Sequence, residues 1–228
     1  MIKVILWDID GTLLDFQEAE KHAIRACFAQ FGLGTCTDAM LADYSGINRR
    51  YWCALERGEM TKPQILVGRF QEFFAKYGLD TGCAPAFNAQ YQLSLGDTVC
   101  FHPNGLETVT ALKGKVFQYG ATNGTAVAQR KKLRLSGLED LLEGSFISDE
   151  IGFEKPSLGF FDAVWKTIGP VDPSEVMIVG DSLTSDIRGG NNAGIRCCWF
   201  NPGHAPRPAD LRIDYEIEDL GQVIALCQ

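Results

Sequence analysis

Two stretches of this chain are apolar at nearly every position: Ile2 to Trp7, with only Lys3 interrupting, and Val176-Met177-Ile178-Val179. A strand with one wet face alternates apolar and polar residues, so uninterrupted short runs rich in branched side chains mark strands covered on both faces. From about residue 98 onward the pattern around them runs strand, helix, strand. Gly105 to Leu112 reads as a helix, Lys115 to Ala121 as a strand, Thr125 to Leu135 as a basic amphipathic helix, Ser145 to Ser148 as a strand and Ser157 to Ile168 as a helix. Ile195 to Phe200 forms another strand after a helix stopped at Gly194, and a short strand at Tyr215 to Ile217 precedes a helix from Leu220. This rhythm predicts an α/β fold, a doubly wound parallel sheet with helices on both faces.

Residues 16–97 do not share that rhythm, because their apolar residues recur three and four apart and none of them reads as a strand. Ile24, Phe28 and Phe31 mark a first helix closed by Gly32 and Gly34. Thr37 and Asp38 open a second, and Tyr51, Trp52 and Leu55 mark a third. Thr61-Lys62-Pro63-Gln64 has the form of a helix start, with a capping hydroxyl, a proline in the first turn and a glutamine three residues after the cap. A last helix covers Pro85 to Leu95. The expected organisation is a sheet domain made of residues 1–15 and 98–228, with an all-helical domain, residues 16–97, inserted between its first strand and the rest.

In an open parallel sheet, ligands sit beyond the carboxyl ends of the strands, so residues that follow each apolar run should converge. Asp8 and Asp10 follow the first strand, Thr122-Asn123-Gly124 the second, Lys155-Pro156 come soon after Ser145 to Ser148, and Asp181 and Asp186 follow Val176 to Val179. Several acids with no histidine cluster suit a hard, oxygen-seeking cation, of which Mg²⁺ with a substrate phosphate is the usual case. With it in place Asp8 can attack phosphorus, Asp10 can protonate the leaving oxygen, and Lys155 can neutralise the phosphoryl oxygens.

The net charge of −8 argues against a nucleic-acid backbone or an anionic membrane surface as partner. Eight cysteines in mostly apolar surroundings, with no C-x-x-C pair, read as reduced packing residues. The first strand begins at Ile2, leaving no room for a signal peptide, and no stretch reaches membrane-spanning length, so a cytoplasmic protein is expected.

The order D-x-D-G-T-L, T-N-G, K-P and G-D-S-L-T-S-D resembles the four signature motifs of the haloacid dehalogenase-like (HAD) hydrolase superfamily. The resemblance implies a Rossmann-like core, Mg²⁺-dependent phosphoryl transfer through an aspartyl-phosphate, and an inserted cap of the first cap class. It implies Asp8 as nucleophile and metal ligand, and Asp10 as acid/base and as ligand through its carbonyl. Thr122 and Asn123 would be phosphate binders, Lys155 the neutralising lysine, Asp181 a metal ligand, and Asp186 a partner that orients the site, directly or through water. Because dehalogenases of the superfamily lack the second aspartate, Asp10 points to a phosphatase or a mutase.

Within the insertion, Asn48-Arg49-Arg50-Tyr51-Trp52, Glu56 to Thr61 and Gly68-Arg69-Phe70, together with Gly189 to Gly194 and Cys197 to Asn201, resemble the YjjG-type pyrimidine 5′-nucleotidases. That implies a nucleoside 5′-monophosphate as substrate, with a sugar phosphate or phosphoglycolate as the alternative, ahead of a phosphomutase or a non-catalytic module. Arg49, Arg50, Tyr51 and Trp52 are the candidates for substrate contact. The basic segment Arg130-Lys131-Lys132-Arg134 reads as a solvated face, and His102 as structural.

Overall fold

The computed structural model describes residues 1–227. The chain divides into two compact units, Met1–Asp15 together with Val99 onward, and Phe16–Thr98. In the first unit, β1 (Val4–Trp7) is followed after the insertion by α5 (Gly105–Leu112), β2 (Phe117–Thr122), α6 (Ala126–Leu135), the short α7 (Leu138–Leu141) and β3 (Gly144–Ile147). Then come α8 (Ser148–Ile151), α9 (Leu158–Ile168), β4 (Val176–Gly180), α10 (Arg188–Ala193), β5 (Arg196–Phe200), β6 (Tyr215–Ile217) and α11 (Val223–Leu226). The six strands form one sheet in the order β3-β2-β1-β4-β5-β6, parallel throughout.

The two apolar runs occupy the centre of that sheet, where Val4 to Trp7 pair in register with Val176 to Val179. Successive side chains alternate between two buried layers. Ile5, Trp7, Met177 and Val179 pack with Val109, Leu112, Leu133 and Val223 on one face. Val4, Leu6, Val176 and Ile178 pack with Phe160, Phe161 and Val164 on the other. Polar Gln118 in β2 is fully buried because the Trp7 indole needs an acceptor: Trp7 Nε1 donates to Gln118 Oε1 at 3.0 Å, and Gln118 Nε2 donates to the Val109 carbonyl at 3.0 Å.

Where the insertion leaves and re-enters this unit, the chain is stitched to itself. Asp15 N donates to the Cys100 carbonyl at 2.7 Å, His102 N donates to the Leu13 carbonyl at 3.0 Å, and Leu14 and Phe101 form an antiparallel bridge. The His102 ring packs edge-on against Phe200, with centroids 5.4 Å apart, and burial pushes its pKa down.

The second unit consists of α1 (Phe16–Gln30), α2 (Asp38–Glu56), α3 (Lys62–Lys76) and α4 (Ala84–Leu95). The Thr61–Gln64 capping box starts α3, as its sequence predicts. The expectation of separate helices around Met40 and Tyr51 is corrected: α2 runs unbroken through Gly46 and Asn48. A glycine inside a helix costs only about 1 kcal/mol, which the buried stripe Leu41, Tyr44, Ile47, Ala54 and Leu55 overrides.

Aromatic rings fill this unit. Tyr44 stacks on Phe70 at 5.0 Å, and Phe87 meets Phe70 and Phe74 edge-on at 4.9 and 5.0 Å. Among them lies a buried polar chain. Arg69, 1% exposed, donates from Nη1 to Asn48 Oδ1 at 2.6 Å and from Nη2 to Asn88 Oδ1 at 3.1 Å; Asn48 Nδ2 donates to Glu20 Oε1 at 2.8 Å, and Ser45 also donates to Glu20. Burial pushes the Glu20 carboxyl up, against the opposing pull of these donors and of the Arg69 charge. Arg69→Met is therefore expected to destabilise the fold by about 3 kcal/mol, because two amide oxygens and a buried acid lose their counterpart. The exposed Arg50→Met should stay within about 0.5 kcal/mol, and thermal melting of the two variants checks the contrast. Among the described residues no helix is long and apolar enough to cross a membrane.

Candidate active site

All four strand-end segments meet beyond the carboxyl ends of the central strands, with Lys155 between them. Lys155, 1% exposed, donates from Nζ to Asp8 Oδ1 at 2.8 Å, to Asp186 Oδ1 at 2.6 Å and to the Ala121 carbonyl at 2.5 Å. Burial by itself would push this lysine down, but the charges of Asp186 and Asp8 hold it above the ordinary lysine range.

The opposite edge of Asp8 is held by Thr12. The Thr12 hydroxyl lies 3.1 Å from Asp8 Oδ2 and 3.2 Å from Asp181 Oδ1, and it accepts from Asp181 N at 3.0 Å. Trp199 Nε1 fixes the same loop by donating to the Asp181 carbonyl at 3.0 Å. Gly11, at φ +99°, leaves room for this approach, since a Cβ there would stand 2.8 Å from Asp181 Oδ1. After β4 the chain makes a π-helical turn, Leu183–Ile187, which sets Asp186 under the site, where its Oδ2 accepts from Ser182 N at 3.1 Å.

Carboxylate oxygens of Asp8, Asp181 and Asp186 lie within 4.8 Å of one another. Crowding of this kind shifts the protonation of Asp8 and Asp181. The Asp8 carboxyl is pushed up from 3.8 to about 7, first by burial and then by the charge of Asp186, with Lys155 pulling the other way. Asp181 is also held well above the ordinary carboxylate range, by desolvation and by the charges of Asp8 and Asp186. An all-oxygen donor set, short of positive charge and partly buried, fits a hard divalent cation. Asp8 and Asp181 offer carboxylates to it, while Asp186 Oδ1 is committed to Lys155.

The two acids after β1 have different surroundings. Asp8 points at Lys155 and Thr12, whereas the side chain of Asp10 turns to α6. Lys132 Nζ donates to Asp10 Oδ1 at 2.5 Å, and Gln129 Nε2 donates to Asp10 Oδ2 at 2.6 Å. Any part Asp10 takes in holding a cation alongside Asp8 thus falls to its main-chain oxygen.

Thr122, the last residue of β2, and Asn123, the next, lie beside this group, both buried. The Asn123 side chain is engaged on both functions, since Nδ2 donates to the Lys155 carbonyl at 2.8 Å and Oδ1 accepts from Lys155 N at 2.8 Å. It fixes the main chain of Lys155. The Thr122 hydroxyl accepts from Gly124 N at 3.0 Å.

Three further residues belong to the site, Thr12, Gln129 and Lys132, and none of them stands at the strand-end positions the sequence singles out. Lys132 corrects the expectation of a solvated basic face, because it is fully buried while Arg130 on the same helix is exposed and paired with Glu150 at 2.5 Å. The signal for it is the stripe Ala128, Gln129, Lys132 and Leu133, all buried along one side of α6. In the helical unit, Arg50 pairs with Glu72 at 2.5 Å, Tyr51 lies over Gly68, and the Arg69 guanidinium stands 5.9 Å from the Trp52 ring.

Residues 2–194 match the model of the haloacid dehalogenase-like hydrolase family. The chain is 34% identical to the HAD-hydrolase YfnB of Bacillus subtilis, over 97% of its own length and 93% of that protein's. It is similar to the pyrimidine 5′-nucleotidase PynA of Streptococcus pneumoniae at 31% identity over 94% and 90% of the two chains. It is also similar to the pyrimidine 5′-nucleotidase YjjG of Escherichia coli, at 28% identity over 96% and 95%. A crystal structure of YfnB bound to magnesium superimposes with a TM-score of 0.93 at 32% identity, covering 100% of this chain and 99% of that one.

Proposed function

Because this chain belongs to the haloacid dehalogenase-like hydrolases, we propose that it is a Mg²⁺-dependent phosphomonoester hydrolase that acts on nucleoside 5′-monophosphates through an aspartyl-phosphate. The observation that carries this reading is the division of labour between the acids after β1, one held by Lys155 and Thr12 and the other by α6. Asp8 forms the new bond to phosphorus as the bond to the ester oxygen breaks, and Asp10 gives its proton to that departing oxygen. Asp10 then takes a proton from water, which attacks the phosphorus, releases phosphate and restores Asp8.

Lys155 neutralises the phosphoryl oxygens, and Thr122 with the Asn123 backbone orients them at the start of α6, where main-chain amides and the helix dipole favour an anion. Asp186 holds Lys155 in place. Asp8, Asp181 and the Asp10 carbonyl would hold Mg²⁺, which supplies charge neutralisation and Lewis-acid polarisation of the phosphoryl group. Magnesium is expected to raise the Tm of the protein, by about 2.7 kcal/mol of added stability at a hundredfold excess over Kd. Asp181→Asn should abolish most of that rise, as thermal melting with and without the ion will read.

For the substrate class, support comes from the pyrimidine 5′-nucleotidases among the relatives. We assign substrate choice to the helical unit, residues 16–97, since the core chemistry recognises only phosphate and metal. The eight thiols, all unpaired, fit the reducing cytoplasm. A phosphatase screen tests the reading. Hydrolysis of dUMP, dTMP and UMP should exceed that of sugar phosphates and phosphoglycolate, and a strong preference for either of the latter overturns the nucleotidase assignment while leaving the hydrolase in place.

A further inference from the structure

Asp10 is the one acid of the site whose side chain is gripped on both oxygens by a single helix. Gln129 and Lys132 stand three residues apart on the same side of α6, and each takes one oxygen of the carboxylate, at 2.6 and 2.5 Å. Neither contact is what packing alone would choose. Lys132 is fully buried beside Leu133, where an apolar side chain would avoid the desolvation of a charge. Gln129 is also fully buried, and its Oε1 has no hydrogen-bond partner, so one end of the amide is left unsatisfied while the other meets Asp10.

The loop before α6 is shaped around the same amide. A Cβ on Gly124 would stand 2.3 Å from Gln129 Nε2 and 2.8 Å from its Cδ, so any side chain at this position would displace the glutamine from Asp10. The backbone of Asp10 is fixed independently, by the turn in which Gly11 N donates to the Leu14 carbonyl and Leu14 N to the Ile9 carbonyl, each at 2.8 Å. What α6 adds is the rotation of the carboxyl group.

We propose that Lys132 and Gln129, with Gly124 making room for the amide, are positioning residues that aim Asp10 at the leaving oxygen. This rests on the reading of Asp10 as the acid of the reaction. Each oxygen of Asp10 keeps a second lone-pair direction beyond the one used by α6, and holding both oxygens fixes where that direction points. In the step that matters the Asp10 O–H bond breaks, the bond from phosphorus to the ester oxygen breaks with its electron pair staying on that oxygen, and the oxygen takes the proton. A carboxyl group free to turn would meet that oxygen in fewer of its orientations.

The test compares phenyl phosphate with 4-nitrophenyl phosphate, two substrates of nearly the same shape. Phenolate leaves poorly and needs the proton, whereas nitrophenolate leaves without it. The quantity read is kcat/KM, which reports steps only up to loss of the leaving group. Asp10→Asn should lower it about 100-fold on phenyl phosphate and only a few-fold on 4-nitrophenyl phosphate. Lys132→Met and Gln129→Leu should show the same selectivity at about 10-fold, Gly124→Ala should follow Gln129→Leu, and Lys132→Arg should recover most of the loss.

If Asp10→Asn lowers both substrates alike, the acid reading itself fails. If Asp10→Asn is selective but Lys132→Met and Gln129→Leu lower both substrates equally, or neither, the two residues are structural and the inference is wrong. Should Lys132→Met not fold, Gln129→Leu and Gly124→Ala, which leave the charge in place, decide the matter.

Discussion

Replacing Asp8 by Asn is expected to abolish turnover, by about 10⁴-fold or more, and to leave a protein that is more stable than the parent in the absence of divalent cations. Turnover fails because an amide oxygen is too poor a nucleophile to form the covalent intermediate. Stability rises because Asn keeps the contacts and sheds the charge. Its carbonyl still accepts from Lys155, and its NH₂ can donate to the Thr12 hydroxyl where Asp8 Oδ2 now accepts.

The pH dependence of that gain has a definite sign. Burial and the Asp186 charge lift the Asp8 carboxyl from 3.8 to about 7 in the folded chain. Below about pH 4 the acid is protonated in both folded and unfolded chains, and Asp and Asn are equivalent. Between pH 4 and 7 the unfolded chain releases its proton first, so the parent loses stability relative to the variant, and above pH 7 the difference is complete. Urea titrations of both proteins in chelator at pH 4.5 and pH 8 read it directly, with a gain of about 1–2 kcal/mol expected at the higher pH. A variant with measurable phosphatase activity, or no more stable than the parent at pH 8, would overturn the account of Asp8.

Lys155→Met works in the opposite direction. The lysine is the buried counter-ion shared by Asp8 and Asp186, and its loss leaves two acids facing each other with no cation between them. A destabilisation of about 3–5 kcal/mol is expected, because an uncompensated buried charge is worse than a buried pair. Activity should fall about 100- to 1000-fold, as the charge opposite the phosphoryl oxygens disappears. Adding Asp186→Asn to Lys155→Met should return part of the stability and none of the activity, a coupling that a double-mutant cycle measures. If the single variant melted with the parent, Lys155 would not be the electrostatic centre described above.

The parts of the site that were legible in the sequence are those where a local pattern ends abruptly. Asp8, Asp10 and Asp181 stand directly after apolar strands, so strand periodicity and the turn chemistry of Asp10-Gly11 and Gly180-Asp181 locate them without any knowledge of contacts. The start of α3 was legible for the same reason, since a capping box is written in four consecutive residues. Lys132 was not. Its partner Asp10 lies 122 positions away, and three basic neighbours on α6 make it look like one charge among several on a wet face. The unbroken α2 was hidden by a comparable ambiguity: Gly46 and Asn48 look like punctuation locally, and the buried stripe that outweighs them, with Tyr44 stacked on Phe70, depends on packing against other helices.

The stitched stem at Leu14 and Phe101 also bears on how the chain finds its fold. The central strands are assembled across a long excursion, so that Trp7 and its hydrogen-bond partner Gln118 are separated by 111 positions. Pairing of that kind is slow, because loop closure must precede any gain from the contact. Phe31, just past the end of α1, meets Phe87, and Cys27 of α1 meets Ser94, so α1 and α4 run antiparallel and return the chain towards its point of departure. With that unit folded, residues 15 and 100 stand side by side, where Asp15 N meets the Cys100 carbonyl, and the closing of β1 on β2 no longer spans the whole excursion.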